Sequence, residues 1–289
     1  MSKKQIAIIL MLFSTLSFSV MQLIVKISAG AIPTMEQVFT RNFVTLFAGF
    51  FMAIKNHDPL MGSKENRLLL LGRSLFGYLG IVGYFYATSH MNVADASLLH
   101  RSSPFFVILF SAIFLKNKMT KHQIIALLVA FAGSVLVINP SFNSNLLPAL
   151  AGAFSAASAG AAYVLINVLK GKEKNSTIIF VFSLFSCVCS VLIGGSTFVM
   201  PHGIQWLQLA GLGIFAAGGQ ILLTQAYKMT NPGDVSIINY TGILFSALFG
   251  VLFLNESVGL RSACGMVCIF AAALLLYFTK DKTAPQKAA

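Results

Sequence analysis

Long apolar runs, each followed by a short polar loop, dominate the pattern of this 289-residue chain. A helix that crosses a bilayer needs about 20 apolar residues, whereas the strands of a membrane barrel alternate in polarity. The pattern therefore predicts an all-α integral membrane protein with ten transmembrane helices. The predicted spans are 5–28, 35–54, 68–88, 94–115, 120–138, 146–169, 176–200, 204–227, 233–254 and 258–279.

The pattern also repeats within the chain. Residues 87–132 can be laid over residues 226–271 at a constant offset and without a gap. The identical pairs include Ala87/Ala226, Asn92/Asn231, Asp95/Asp234, Ser97/Ser236, Phe106/Phe245, Leu109/Leu248 and Phe114/Phe253. Five spans per copy force the second copy to insert upside down. We therefore expect two inverted five-helix repeats, residues 1–140 and 141–289, which together form one domain.

Basic residues fall almost wholly in one alternating set of predicted loops. That set includes both terminal segments, whereas the opposite set holds only Arg261. Because basic loops remain in the cytoplasm, we expect both termini to be cytoplasmic. The same sorting places the basic loop 116–121 and its repeat counterpart 255–261 on opposite faces, as an inverted repeat requires.

Composition excludes a soluble protein. Hydrophobic residues make up 57% of the chain and charged residues 10%, whereas a soluble domain has about 25% charged residues. The net charge of +12 could suggest a nucleic-acid partner, but the basic residues lie where membrane topology requires them. Neither a P-loop nor an HExxH motif occurs, and the loops leave no room for a catalytic domain. We therefore expect no enzyme activity, no cofactor and no metal.

Two arginines lie inside predicted spans, where ionisable groups are costly and are candidates for function. Arg41 in span 2 and Arg101 in span 4 both lie roughly 10 Å below the outer surface, at 1.5 Å per residue. Two guanidinium groups at one depth could bind a carboxylate through their planar donors. Alternatively, Arg41 pairs with Asp95 or Glu36 and holds spans 2 and 4 together.

His100 precedes Arg101 in a segment that Pro104 should kink. Proline has no N–H, so the carbonyl of His100 loses its normal helical partner. Broken helices form transporter sites near the middle of the membrane, and an imidazole titrates near neutral pH and could couple proton movement. Alternatively, His100 is a packing residue whose hydrogen bonds are satisfied.

Further polar side chains complete the predicted substrate site. The repeat places Asn239 and Tyr240 at the positions of His100 and Arg101, so a shared cavity would receive both pairs. Alternatively, these groups join one helix to another by hydrogen bonds, each worth about 0.6 kcal/mol. The remaining predicted substrate-binding residues are Tyr78, Tyr84, Tyr163, Asn167 and Gln220.

Other charged residues have structural explanations. Arg73 lies close enough to the cytoplasmic end of span 3 for its side chain to snorkel to the interface. Asp95 and Asp234 begin spans 4 and 9, where aspartate is a favourable N-cap. Small residues spaced three or four apart on span 3 and on span 6 predict close contacts with other helices, either static or at a sliding surface between a moving and a fixed bundle; they are Gly77, Gly80, Gly83, Gly152, Ala156 and Gly160.

Several short segments resemble a known family. The chain is similar to the EamA-type branch of the drug/metabolite transporter superfamily over nearly its whole length. The segments that carry the resemblance are 36–41, 104–115, 133–140, 226–227, 234–240 and 253–256. One departure is Asn117, where the family often has glutamate, although the counterpart Glu256 is retained. The resemblance implies movement of small metabolites across a bacterial cytoplasmic membrane.

The expected function is therefore a secondary transporter, an exporter or exchanger of small polar metabolites such as amino acids or carboxylates. Inverted repeats predict alternating access to a site between the halves. The alternatives are efflux of lipophilic cations, an integral-membrane enzyme and a lipid scramblase. The expected partners are a small-molecule substrate and the lipid bilayer, without nucleic acid, and the chain is either a monomer or a homodimer.

Overall fold

A computed structural model describes residues 1–28, 31–90, 93–116, 119–139, 146–254 and 259–279. Within these ranges all regular structure is helical, with two short 3-10 turns, Lys64–Asn66 and Gly195–Thr197. The α-helices are α1 (Lys3–Ile27), α2 (Thr34–Asn56), α3 (Arg67–His90), α4 (Val93–Arg101), α5 (Ser103–Phe114), α6 (Lys121–Ile138), α7 (Leu146–Val168), α8 (Asn175–Gly194), α9 (Gln205–Met229), α10 (Pro232–Ile238), α11 (Thr241–Leu254) and α12 (Leu260–Phe278).

Two predicted spans are broken helices. Helices α4 and α5 form one apolar stretch with a break at Ser102, and α10 and α11 form another with a break at Asn239 and Tyr240. Pro104 stands in the first turn of α5, where its missing N–H costs nothing. Each broken pair counts as one unit, so the described residues form ten helical units in all.

The described residues contain nine stretches that are long and apolar enough to cross a membrane. Helix α3 is not among the nine, although its 24 residues would be long enough. Most helix ends agree with the predicted spans to within a few residues. The exception is α8, which ends at Gly194, whereas the apolar pattern extends to residue 200.

Helices that hold the same place in the two halves run antiparallel where they touch. Between α2 and α8, Gly49 approaches Phe180 while Met35 approaches Gly194. Between α6 and α12, residue 133 approaches residue 269 while residue 137 approaches residue 265. Contacts between other helices follow the same symmetry. Helix α3 packs on α7, and their counterparts in the opposite halves, α9 and α1, also pack on each other. The two halves therefore share their interfaces and form one body.

Glycines allow the closest of these contacts, as the spacing of small residues predicts. A β-carbon on Gly80 would lie 3.3 Å from the backbone nitrogen of Ala159 on α7. Among the described glycines, the closest approach to a backbone atom joins α6 and α12, where a β-carbon on Gly133 or Gly265 would lie 2.6 Å from the carbonyl oxygen of the other glycine. Backbones this close gain dispersion contacts, which hold helices together in lipid.

Large apolar side chains point outward, and small polar side chains lie inside. On α2, Phe43, Phe47 and Phe51 are exposed on the surface of the chain, whereas Ser155 and Ser183 are fully buried. A soluble protein shows the opposite distribution. The exposed phenylalanines therefore form a surface suited to hydrocarbon.

Candidate functional site

The break between α4 and α5 places polar side chains in the middle of an apolar span. Helix α4 ends at His100 and Arg101, so both residues lie at an internal helix terminus. Arg41 lies two turns into α2. All three side chains are partly exposed, although each lies well inside a span. Each of the three therefore keeps some accessible surface at a depth where the neighbouring residues are apolar.

The ring of His100 is held by two neighbours. Its Nδ1 lies 2.5 Å from the hydroxyl oxygen of Ser155 on α7, and its ring centroid lies 4.7 Å from that of Tyr84 on α3. The hydroxyl of Tyr84 in turn lies 3.1 Å from that of Ser97 on α4. These contacts fix the orientation of the imidazole. Because Ser155 belongs to the second half of the chain, the ring lies where the two halves meet.

Arg101 reaches from the first half into the second. Its guanidinium lies within electrostatic range of Tyr84 and Tyr240. Its Nη1 lies 3.5 Å from the point where a β-carbon on Gly242 would stand, at the start of α11. Tyr240 is 1% exposed, and its hydroxyl has no hydrogen-bond partner among the described residues. The two breaks therefore meet at Arg101 and Tyr240, as the repeat predicts.

Arg41 and Arg73 form a second cationic position. Both lie within electrostatic range of Tyr163 on α7, and they also lie close to each other. The guanidinium carbon of Arg73 lies 3.7 Å from the ring centroid of Phe182 on α8, and Arg73 is 2% exposed. The prediction that Arg73 snorkels is therefore wrong, because its side chain turns inward to a cation–π contact.

No carboxylate balances these cations within the described part of the chain. Its one ion pair joins Lys4 to Asp234, away from the arginines. Glu36 accepts a hydrogen bond of 3.0 Å from the backbone N–H of Val199, so the alternative pairing of Arg41 with Glu36 is not observed. The side chain of Asp95, the other suggested partner, lies outside the described residues, as do Asn117 and Glu256.

Aromatic residues link the cationic positions to the second half. The ring of Tyr163 stacks on that of Tyr227 with centroids 4.8 Å apart. Asn239 donates a hydrogen bond of 3.3 Å from Nδ2 to the hydroxyl of Tyr227. Tyr163 and Tyr240 therefore join the cluster that contains the arginines, which we call the arginine cluster (Arg41, Arg73, His100, Arg101, Tyr163 and Tyr240).

Three predicted site residues lie elsewhere. Tyr78 is buried with its ring edge-on to Phe185 of α8. Asn167 donates hydrogen bonds to the carbonyl oxygens of Tyr227 and Thr230, at the C-terminal end of α9. Gln220 donates to Thr224 on its own helix. Their observed contacts are those of helix packing, and a role in substrate binding stays a prediction for them.

Asp234 does not cap a helix, which corrects the prediction for this residue. Asn231 is the N-cap of α10, and its side chain accepts the N–H of Gly233. Asp234, one turn further on, forms the buried ion pair with Lys4 and accepts a hydrogen bond from Gln123. Lys4 is therefore a buried partner in this structure, whereas the sequence suggested an ordinary loop charge.

Two further observations concern possible metal ligands and the cysteines. No group of three His, Cys, Asp or Glu side chains that could hold a metal ion occurs among the described residues. The four cysteines are free thiols. The arginine cluster offers instead cationic donors and aromatic hydroxyls, which suit recognition of an anion.

Comparisons with known proteins agree with this architecture. The chain is 33% identical over 275 residues to the pseudopaline exporter CntI of Pseudomonas aeruginosa (strain UCBPP-PA14), covering 94% of this chain and 96% of that protein. It is 26% identical over 278 residues to an uncharacterized transporter of Helicobacter pylori (strain J99), covering 92% and 93%. A solved crystal structure shares the fold with a TM-score of 0.80 at 20% identity, covering 93% and 95% of the two chains.

The two halves each match one family on their own. Residues 5–139 and residues 146–278 both match the EamA-like transporter family. This confirms the resemblance seen in the sequence and shows a multi-pass membrane transporter and not an enzyme. The chain belongs to the EamA-like transporter family of the drug/metabolite transporter superfamily, with one EamA unit in each half.

Proposed function

We propose that this protein is a secondary transporter that carries a small anionic metabolite, such as a carboxylate or an amino acid, by alternating access. In this proposal ten helices cross the bacterial cytoplasmic membrane in two inverted halves, with both termini in the cytoplasm. The antiparallel contacts of α2 with α8 and of α6 with α12 support the inversion, because counterparts related by an axis in the membrane plane point in opposite directions.

The uncompensated charge of the arginine cluster carries the proposal. Arg41 and Arg101 lie within spans, are partly exposed and have no carboxylate partner among the described residues. A guanidinium stays charged in a protein and is costly to bury alone. A substrate carboxylate would supply the missing charge through paired hydrogen bonds. His100, next to Arg101, is the candidate for coupling transport to protons.

Export is supported by a relative. The relative from Pseudomonas aeruginosa is named as an exporter of pseudopaline. In this structure Lys4, Gln123 and Asp234 bring together the starts of α1, α6 and α10. We propose from the distribution of basic residues that this end faces the cytoplasm and that it separates to admit the substrate for export.

Efflux of lipophilic cations is the less suitable alternative. A buried carboxylate that exchanges a cation for a proton would be expected at such a site. The described part of the arginine cluster instead holds three arginines, which repel cations. The observed charge therefore favours an anionic substrate.

Solute counterflow in proteoliposomes tests the proposal. Vesicles containing the purified protein and preloaded with a carboxylate or amino acid should accumulate the labelled form of the same solute. We expect Arg101→Ala to abolish this accumulation while leaving membrane insertion intact. Arg261→Ala, at an exposed arginine outside the cluster, is the matched control and should behave as the native protein. Native-like counterflow by Arg101→Ala would remove Arg101 from the site and contradict the proposal.

A further inference from the structure

We propose that the substrate carries at least two carboxylates, one bound by Arg41 and Arg73 and the other by Arg101. The inference rests on the proposed function, because it takes the arginine cluster as the substrate site. It assigns Arg73 a direct contact with the substrate and sets a minimum for the number of negative charges that the substrate carries.

The first position has two guanidinium groups and unused donors. Arg41 and Arg73 lie close to each other and to Tyr163. The Nε of Arg41 and the Nε and Nη1 of Arg73 are buried without a hydrogen-bond partner in the described residues. A buried N–H that finds no acceptor costs free energy. A carboxylate would accept from several of these groups together, since its two oxygens match the guanidinium fork.

The fold holds Arg73 in place for this role. Its guanidinium carbon lies over the ring of Phe182, 3.7 Å from the ring centroid. Gly77, one turn along α3, makes the space, because a β-carbon there would lie 2.7 Å from Nη1 of Arg73. An arginine that served only to pack α3 against α8 would be expected to have its donors satisfied. Here the ring contacts the guanidinium while Nε and Nη1 have no hydrogen-bond partner among the described residues.

The second position is centred on Arg101. Arg101 has Tyr84 and Tyr240 as its electrostatic neighbours, whereas Arg41 and Arg73 share Tyr163. His100 lies within electrostatic range of both Arg101 and Arg41. Two separate cationic positions suit two separate anionic groups.

Charge balance excludes a single carboxylate as sufficient. One carboxylate would neutralise one of three guanidinium groups and leave the neighbouring cations of Arg41 and Arg73 repelling each other at low dielectric. A second carboxylate at the other position reduces the remaining charge and satisfies more of the donors. The site should therefore prefer a diacid to a monoacid of the same size and shape.

Paired ligands test this preference. Malonate, succinate, glutarate and adipate, each compared with its monomethyl ester, vary the number of carboxylates and the distance between them. Binding to the purified full-length protein is measured as thermal stabilisation against ligand concentration. We expect at least one diacid to bind tenfold or more tightly than its ester. In Arg73→Gln this ratio should fall to within twofold, whereas Arg261→Gln should keep the native ratio.

The outcomes separate the two proposals. Equal binding of diacid and ester throughout the series, or an unchanged ratio in Arg73→Gln, would overturn the two-carboxylate inference. If Arg101→Ala still removes binding of the monoester in that case, the proposed function survives. Should Arg73→Gln fail to fold, Arg73→Lys is used instead, because it keeps the charge without the planar fork. We expect Arg73→Lys to show a smaller preference for the diacid over its ester than the native protein. A native ratio in Arg73→Lys would then count against a paired-donor contact at Arg73.

Discussion

The Nζ atom of Lys4 lies 3.3 Å from the carboxylate oxygen Oδ1 of Asp234, with both side chains buried. Gln123 donates a hydrogen bond of 3.0 Å to the same oxygen. The pair joins the first helix of one half to the broken helix of the other. Because α10 has only seven residues, the ion pair and the arginine cluster lie at opposite ends of one short helix. A movement of α10 would therefore affect both.

Removing one partner of this ion pair should destabilise the fold. In Lys4→Met the buried carboxylate loses its counter-charge, which typically costs about 3–5 kcal/mol. We expect a lower thermal-unfolding midpoint, largely recovered in the double variant Lys4→Met with Asp234→Asn. Lys3→Met, at the exposed neighbouring lysine, is the control. If the single and double variants lose the same amount of stability, the two side chains do not act as a pair.

Close packing of α6 on α12 should be sensitive to a single methyl group. A β-carbon on Gly265 would lie 2.6 Å from the carbonyl oxygen of Gly133, so Gly265→Ala must push the helices apart. Overpacking of this kind costs about 1–3 kcal/mol, and we expect a lower unfolding midpoint in detergent. Gly259→Ala is the matched control, because nothing lies within 4 Å of the added carbon. A native midpoint for Gly265→Ala would show that this contact is looser than the structure has it.

His100 should matter more for proton-driven uptake than for exchange. Its contact with Ser155 orients the ring, and an imidazole is suited to carrying a proton near neutral pH. We expect His100→Ala to reduce uptake driven by a pH gradient several-fold while counterflow falls less. Ser155→Ala, which keeps the imidazole but loosens it, should give a smaller change of the same kind. Equal losses in both assays would assign His100 a structural role.

Glu173, in the loop between α7 and α8, should make the stability of the folded protein depend on pH. Burial acts to raise the pKa of Glu173, but hydrogen bonds from Asn66 and Ser63 and the charge of Lys228 outweigh it and lower the pKa below its ordinary value of about 4.5. The Ser63 N–H and hydroxyl donate to Oε1 at 2.9 and 2.8 Å. A carboxyl group with a lowered pKa in the folded state stabilises the fold above its unfolded value.

The stabilisation by Glu173 is therefore present at pH 7 and is lost as the pH falls through the lowered pKa. We expect the native protein to unfold at a higher temperature than Glu173→Gln at pH 7. The difference should shrink once the pH drops below about 4.5, the ordinary pKa of this carboxyl group. A difference that stays constant from pH 7 to pH 3 would show that the charge of Glu173 does not contribute.

Much of the fold could be predicted because a membrane span needs a fixed length of apolar residues. The break after His100 was also predictable, because Pro104 cannot complete the preceding helical turn. The break at Asn239 and Tyr240 has no proline. Only the internal repeat points to it, by placing these residues on His100 and Arg101.

The site was predicted less completely, because contacts between distant helices leave little trace in one sequence. Nothing along α3 shows that Arg73 meets Phe182 of another helix, so its distance from the span end suggested snorkelling. Lys4 looked like a terminal loop charge for the same reason, since its partner Asp234 lies in the other half. Arg41 and Arg101 are candidates from the sequence because an ionisable side chain inside a span is costly, and their role in a substrate site stays a prediction.

The central claim is that a polar site between the halves opens to each side of the membrane in turn. Gly242 tests it, because a β-carbon there would lie 3.5 Å from Nη1 of Arg101 and in ordinary contact with its other neighbours. The measurement is alkylation of Gly242→Cys by a membrane-impermeant thiol reagent, with the four native cysteines replaced by alanine. Right-side-out and inverted vesicles present the two faces separately.

We predict that the reagent modifies Gly242→Cys from both faces and that a transported solute slows the modification on each. Gly259→Cys, at the exposed start of α12, should react from one face only and without protection. Modification of Gly242→Cys from a single face, or at a rate that no transported solute changes, would contradict the account.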